Sequence, residues 1–372
     1  MTRNKIKDAK RLVIKVGSSL VTNNGLGLHD ERILHWVEQL VSLHKKSKQI
    51  VLVSSGAVAE GVARLSLKSK PKEMHLQQAA AAVGQMGLVQ AYESFFKKHS
   101  VQTAQILLSH EDLSDRTRYL NARTTLTTLL GMGVIPVVNE NDTVATAELC
   151  FGDNDTLAAL VANLISAEAL IILTDQDGVF DADPRLSASS RLIPTASAND
   201  ESLLELAGKG TSLGRGGMLT KISAARLAAR SGTDTVIANG EIDDVLLKFA
   251  SGNSIGTLLY ADSEPMAARK QWLAGQLAVK GLLKVDAGAV KVLQTSGKSL
   301  LAVGIDSVEG VFYRGDMVAC VDPEGSEIAR GLVNYDNTEV SVLCGQSSEK
   351  ITDLLGYAGD EEVIHRDNLV LS

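Results

Sequence analysis

Three cysteines in 372 residues, Cys150, Cys320 and Cys344, are too few and too scattered for a disulfide framework or a zinc site. A reducing cytoplasm fits them best. No apolar run approaches the roughly 18 residues that a membrane span needs. The amino terminus, MTRNKIKDAKR, is polar and is not read as a signal peptide. Basic charge is in deficit: the formal net charge is −7. A general affinity for nucleic acid or for an anionic membrane needs a basic face and is therefore not expected. His29, His35, His75 and His110 lack metal-ligand spacing. Two familiar phosphate motifs are also missing. Thr295–Ser299 (TSGKS) ends like a P-loop, but Val292 stands where that motif requires glycine, and no strand-helix turn carries G-x-G-x-x-G. There is no internal repeat or low-complexity tract.

What is present is an ordinary soluble composition, 45% apolar and 22% charged, on a chain long enough for two domains. Short β-branched runs alternate with helical periodicity. Strands are expected at Leu12–Val16, Ile50–Val53, Thr103–Leu108, Ile135–Val138, Ala169–Leu173 and Val236–Ala238. Helices are expected at Glu31–Lys45 (capped by Asp30), Ala57–Arg64, His75–Lys98, Ser114–Leu130 and Met218–Arg230. This alternation predicts an α/β fold, a three-layer αβα sandwich around a mostly parallel sheet. From about residue 263 the texture changes. Ala267–Leu277 reads as a connecting helix. From Lys280, short β-type runs follow between Gly and Asp turns, at Leu282–Val285, Val290–Leu293, Val311–Tyr313, Val318–Cys320, Glu327–Val333 and Glu339–Leu343. The expected division is a first domain over 1–262, a linker helix over 263–279, a small all-β barrel over 280–358 and a tail over 359–372.

Polar groups follow the strands of the first domain: Gly17-Ser18-Ser19, Ser54-Ser55-Gly56, Asn139–Asp142 and Thr174-Asp175. In a parallel sheet all of these lie on one edge, where α/β proteins bind ligands. The densest stretch is Val137–Leu160, with Glu140, Asp142, Glu148, Asp153 and Asp155 among Asn139, Asn141 and Asn154. Leu157, Leu160, Val161 and Leu164 place a helix behind it, with Asp153 at its N-cap position. Taken alone, residues 153–157 read equally as a capped helix after a polar loop. A second candidate is Gly208–Gly217, five glycines in ten residues before the helix at Met218. Its backbone N–H groups, with Lys221 in the first helical turn, suit a phosphate.

Six segments in order, Lys15–Ser19, Ser54–Val58, Asn139–Asp142, Phe151–Asp155, Leu173–Asp175 and Gly216–Lys221, resemble the amino acid kinase family. The final β domain resembles a PUA domain. The closest resemblance is to those kinases that transfer the γ-phosphoryl of ATP to the side-chain carboxylate of L-glutamate. Kinases acting on aspartate or N-acetylglutamate are the alternative. The resemblance implies that Lys15 and Lys221 flank the transferred phosphoryl and that Asp155 holds both lysines. It places Ser55, Asp142 and Asn154 on glutamate, with Asp142 facing the α-ammonium and Asn154 and Ser55 facing carboxylates. It places Lys15, Gly17, Thr174, Asp175, Arg215, Gly216, Gly217, Met218, Leu219, Thr220 and Lys221 on the nucleotide. Gly17 and Gly56 let backbone approach the phosphoryl. Mg²⁺ is expected to arrive on ATP, with Asp153 or Asp155 as possible contacts through water. Arg215 departs from the small threonine common at this place, and its role stays open. The resemblance further implies a homodimer or homotetramer and feedback inhibition by L-proline. RNA binding through the last domain is disfavoured, because residues 280–358 hold seven Lys/Arg against eleven Asp/Glu.

Overall fold

The structure, a computed structural model, describes residues 3–23, 25, 27–144, 154–184, 186–187, 189–208, 217–262 and 279–371. The chain forms two compact units, Met1–Asp115 with Asn121–Pro265 and Arg116–Leu120 with Met266–Ser372.

In the first unit the strands β1 (Arg11–Val16), β2 (Gln49–Ser54), β3 (Thr103–Leu108), β4 (Ile135–Glu140), β5 (Ala169–Thr174), β6 (Thr195–Ser197), β7 (Asp234–Asn239) and β8 (Thr257–Tyr260) form one sheet. Their order is β3-β4-β2-β1-β5-β7-β8-β6. Every pairing is parallel except that of β7 with β8. The chain lays β2, β3 and β4 on one side of β1, then crosses to β5 on the other. The β1/β5 boundary is therefore a topological switch point, and a crevice opens beyond the carboxyl ends of its strands. β1 and β5 are buried on both faces, which explains why LVIKV and ALIIL read as continuous apolar runs rather than alternating ones. The core beside them is built from Trp36, Leu40, Leu52, Tyr92, Phe96 and Leu173, among others.

Helix Met74–Lys97 packs against helix Ala57–Arg64 at backbone contact. A Cβ at Gly84 would lie 1.9 Å from the carbonyl oxygen of Ala57, and one at Gly61 would lie 1.7 Å from that of Ala80. The small residues that make this helix look featureless in sequence are what let the two backbones touch.

Several local expectations differ from the structure. Helix Asp30–Lys45 is capped by His29, whose side chain accepts from the Arg32 N–H, so Asp30 becomes a first-turn acid. The expected helix Ser114–Leu130 is two helices, His110–Ser114 and Arg116–Gly131, because Asp115 is extended between them. Asp153 and the connecting helix Ala267–Leu277 lie outside the described residues.

The second unit carries a separate five-stranded sheet in the order β10-β9-β11-β12-β13, from Val279–Val285 (β9), Ile305–Gly310 (β10), Met317–Val321 (β11), Glu327–Leu332 (β12) and Leu369–Leu371 (β13). It is not made of strands alone. Val290–Leu293 lies in helix Ala287–Ser296, started by the Asp286 carboxylate accepting from the Ala289 N–H. Glu339–Leu343 lies in helix Asn337–Leu343, started by a capping box between Asp336 and Glu339. Short apolar runs do not distinguish strand from helix, and the acid ahead of each run decides it. Val311–Tyr313 forms no strand. The expected tail instead contributes β13, which pairs with β12. Among the described residues no helix is long and apolar enough to cross a membrane.

Replacing Gly84 by Ala must push two helix backbones apart. Gly84→Ala should lower stability by about 1–3 kcal/mol or more. Gly131→Ala, where a Cβ meets nothing within 4 Å, should change it little. Urea unfolding of both variants checks the pair.

Candidate active site

Lys15 is the fifth residue of β1, paired with Val53 of β2 on one side and Ile172 of β5 on the other. A lysine in so buried a strand needs a counter-charge. That charge is Asp155, in the first turn of helix Asn154–Ile165. Lys15 Nζ lies 2.6 Å from Asp155 Oδ1, and Lys221 Nζ lies 3.0 Å from Oδ2. Lys221 comes from helix Met218–Ala229. Asp155 is fully buried, and both lysines are 4% exposed. Thr220 Oγ1 also reaches Asp155 Oδ2, at 2.9 Å, with the Gly217 carbonyl as its other acceptor at 2.7 Å.

Burial alone pushes the Asp155 carboxyl up. The charges of Lys15 and Lys221, and the hydrogen bonds from both, more than offset this and hold it below the ordinary aspartate value. The carboxylate is therefore ionised and engaged by cations on both oxygens. It is an anchor and not a proton carrier. The triad carries one net positive charge at the switch point, which suits a phosphate.

A second cluster lies at the ends of β2 and β4. Asn154 Nδ2 donates to Ser55 Oγ and to Asn139 Oδ1, each at 2.9 Å. Asn139 Nδ2 donates to Gln85 Oε1 at 2.8 Å. The two N–H groups of Asn154 are thereby used, so its remaining polar atom is the carbonyl oxygen. That atom suits an ammonium, whereas the sequence expectation placed Asn154 on a carboxylate. Ser55 Oγ accepts from Asn154 and so keeps its own O–H as a donor for a carboxylate. Asn154 and Asp155 are neighbours on one helix turn and belong to different clusters, so this turn joins the two.

Asp142 stands two residues beyond β4 and lines a cavity of about 610 Å³ together with Gln85, Glu93, Gln105, Glu140 and Asn141. Burial, then the Glu140 carboxylate, raise its pKa to about 6, with Lys70 acting in the opposite direction. The described lining of this cavity does not include Lys15 or Lys221.

Of the other expected residues, Gly17 donates its N–H to the Leu173 carbonyl at 3.2 Å. That N–H is thus engaged within the fold. A Cβ there would sit 3.4 Å from the Leu173 carbonyl oxygen and 3.7 Å from Lys15 Nζ, ordinary contact distances. Gly56 has φ +116° and caps helix Ala57–Arg64, a backbone conformation that favours glycine. Thr174 is buried at the end of β5 and donates to Asp175 Oδ1 at 3.0 Å. Leu219 is exposed beside the half-buried Gly217 and Met218. Arg215, Gly216 and Asp153 lie outside the described residues. Sequence reasoning missed Gln85 and gave Asn139 no role. The only available signal was their polarity within otherwise apolar or small-residue runs.

The described residues do not fit a direct protein cage for Mg²⁺. Among them no group of three or more His, Cys, Asp or Glu could hold a metal, and two ammonium groups face Asp155. A cation here would have to be held by the phosphates it accompanies.

The amino acid kinase family model matches residues 10–239, and the PUA domain model matches residues 281–355. The chain belongs to the amino acid kinase family. It is 58% identical to a glutamate 5-kinase of Nitrosospira multiformis, over 98% of this chain and 99% of that one. It is 58% identical to a glutamate 5-kinase of Teredinibacter turnerae, over 100% and 99%. It is 56% identical to a glutamate 5-kinase of Methylococcus capsulatus, over the full length of both.

Replacing Asp155 by Asn leaves two buried ammonium groups without a counter-charge. Asp155→Asn should cost about 3–5 kcal/mol of stability at neutral pH. Because the native pKa is depressed, this contribution is complete above the unfolded carboxylate pKa and is lost as pH falls through the native one. The gap between wild type and variant should therefore narrow below about pH 4. Denaturant unfolding at pH 7 and in acid measures it.

Proposed function

We propose that the chain is an ATP-dependent kinase of the L-glutamate side-chain carboxylate, forming L-glutamyl 5-phosphate and ADP, the first step of proline biosynthesis. The observation that carries this reading is the pair of buried lysines on one carboxylate, beside a cluster that offers a donor and acceptors suited to an amino acid. The similarity to glutamate 5-kinases over the whole chain supports it.

The acceptor carboxylate is ionised at neutral pH, so no side chain has to remove a proton. A side-chain oxygen forms a bond to the γ-phosphorus as the bond from that phosphorus to the β–γ bridging oxygen breaks, and ADP departs with the electron pair. The work left to the protein is alignment and screening of negative charge. Lys15, leaving β1, neutralises the transferred phosphoryl. Lys221, approaching from the opposite side of Asp155, stabilises the leaving oxygens. Asp155 keeps the two ammonium groups at fixed separation. Ser55 donates to an acceptor carboxylate, and Asn154 Oδ1 with Asp142 receives the α-ammonium. An acetylated amino group would leave Asp142 unpaired, which disfavours N-acetylglutamate. Thr174, Asp175 and the segment 215–221 hold the nucleotide, and Mg²⁺ enters on its phosphates. The same reading extends to feedback inhibition by L-proline, assembly as a dimer or tetramer, and domain borders at 262 and 280.

Glutamate-dependent ADP formation, with the product trapped as a hydroxamate, tests the proposal. Turnover with aspartate or N-acetylglutamate and none with glutamate would reject it. Lys221→Ala should lower kcat by about 10²–10³-fold with little change in thermal stability, and near-normal turnover would remove Lys221 from the mechanism. The Asp142 pKa of about 6 predicts that the KM for glutamate rises as pH falls through 6, because the protonated carboxyl no longer pairs with an ammonium. Asp142→Asn should flatten that profile.

A further inference from the structure

β2 ends at Ser54, which has no solvent exposure, and the chain then passes through the half-buried Ser55 and Gly56 into helix Ala57–Arg64. Ser54 Oγ has two contacts. It lies 2.9 Å from the Tyr92 hydroxyl and 3.0 Å from the carbonyl oxygen of Ser55. Tyr92, on helix Met74–Lys97, is 1% exposed and belongs to the core. A hydroxyl carries one proton, and a carbonyl oxygen can only accept. If Ser54 donated to Tyr92, the Ser55 carbonyl would lose its donor. The Tyr92 proton would then have no acceptor among the described residues. One assignment pairs every group: Tyr92 donates to Ser54, and Ser54 donates to the Ser55 carbonyl. Buried polar groups are costly to leave unpaired, and this selects that assignment.

The Ser55 carbonyl is thereby held toward the interior, where Ser54 and Tyr92 lie. In a trans peptide the C=O and the following N–H point in opposite directions, so the N–H of Gly56 is turned outward. Gly56 caps its helix without a side chain, and its N–H has no hydrogen-bond partner among the described residues. The Ser55 N–H donates to the Val16 carbonyl at 3.4 Å, which sets this turn against the end of β1, one residue beyond Lys15. On its other flank Ser55 Oγ meets Asn154, the neighbour of Asp155. The Ser55–Gly56 peptide thus lies between the strand that carries Lys15 and the helix turn that carries Asn154 and Asp155.

We propose that Ser54 is a positioning residue for phosphoryl transfer: its hydroxyl locks the Ser55–Gly56 peptide so that the Gly56 N–H points at the oxygens that gain negative charge during the transfer. This rests on the reading of the chain as a carboxylate kinase. Ser54 touches no reacting atom and acts only through that peptide. A preset N–H dipole stabilises developing charge without reorganising, which is worth more in kcat than in ground-state binding.

The test compares three variants of the full-length enzyme in glutamate-dependent ADP formation. Losing an N–H donor outright costs about 10²–10³-fold in kcat, and a peptide that is only released costs less. Ser54→Ala should therefore lower kcat about tenfold, with the KM for ATP near wild type. It should also lower the melting temperature, because the Tyr92 hydroxyl is left buried and unpaired. Adding Tyr92→Phe removes that hydroxyl and should restore the melting temperature but not kcat. Should Ser54→Ala fold poorly, the double variant carries the measurement. Tyr92→Phe alone leaves Ser54 with the Ser55 carbonyl as its acceptor and should keep kcat near wild type. If Ser54 were only a tether between β2 and helix Met74–Lys97, both single variants would break the same bond and lose kcat alike. That result, or a normal kcat in the double variant, overturns the positioning role while the kinase reading stands. If the wild-type chain forms no ADP with glutamate, aspartate or N-acetylglutamate, the kinase reading falls and the role of Ser54 falls with it.

Discussion

One carboxylate with no solvent exposure, Asp155, holds two lysines, Lys15 of β1 on one oxygen and Lys221 of helix Met218–Ala229 on the other. Three buried charges are costly to desolvate, and they persist only because each is in contact with its partner. Much of the first unit follows from that requirement. β1 must carry Lys15 next to its carboxyl end, between β2 and β5. The helix after β4 must begin so that its first turn faces Lys15. Helix Met218–Ala229 must present Lys221 from its own first turn. The adjacent residues of the Asn154-Asp155 pair then face different clusters, Asp155 the two lysines and Asn154 the side chains of Ser55 and Asn139.

The carboxylates in this region are shifted in opposite directions because their surroundings differ. Asp155, between two ammonium groups, stays ionised. Asp142, half-buried beside Glu140, is raised to about 6. Neither is needed as a general base when the nucleophile is itself a carboxylate. A site rich in acids invites a reading in terms of proton transfer, but the positions of the lysines make charge screening the better account.

Much of this was legible in the sequence, for identifiable reasons. β1 and β5 are buried on both faces, so their apolar runs stand out, and the polar residues that follow them mark the sheet edge. Lys15, Asp155 and Lys221 were recognisable because they sit at strand ends and helix starts inside characteristic segments. What stayed hidden depends on contacts distant in sequence. Gln85 lies 54 residues from Asn139, in a helix whose Ala and Gly content conceals its polar face. The inward orientation of the Asn154 amide is a property of the network and not of the residue. In the second unit, Val290–Leu293 and Glu339–Leu343 had strand-like composition, but Asp286 and Asp336 cap them as helices.

The central claim is that a glutamate carboxylate oxygen attacks the γ-phosphorus while the lysines screen charge. Oxygen labelling tests it directly. Glutamate carrying ¹⁸O in its side-chain carboxylate is turned over with ATP, and the acyl phosphate is cleaved with hydroxylamine. Attack by hydroxylamine at the carbonyl carbon releases phosphate together with the bridging oxygen. The account predicts one ¹⁸O in each released phosphate. Unlabelled phosphate would mean that water, and not the carboxylate, had taken the phosphoryl group, and would contradict it.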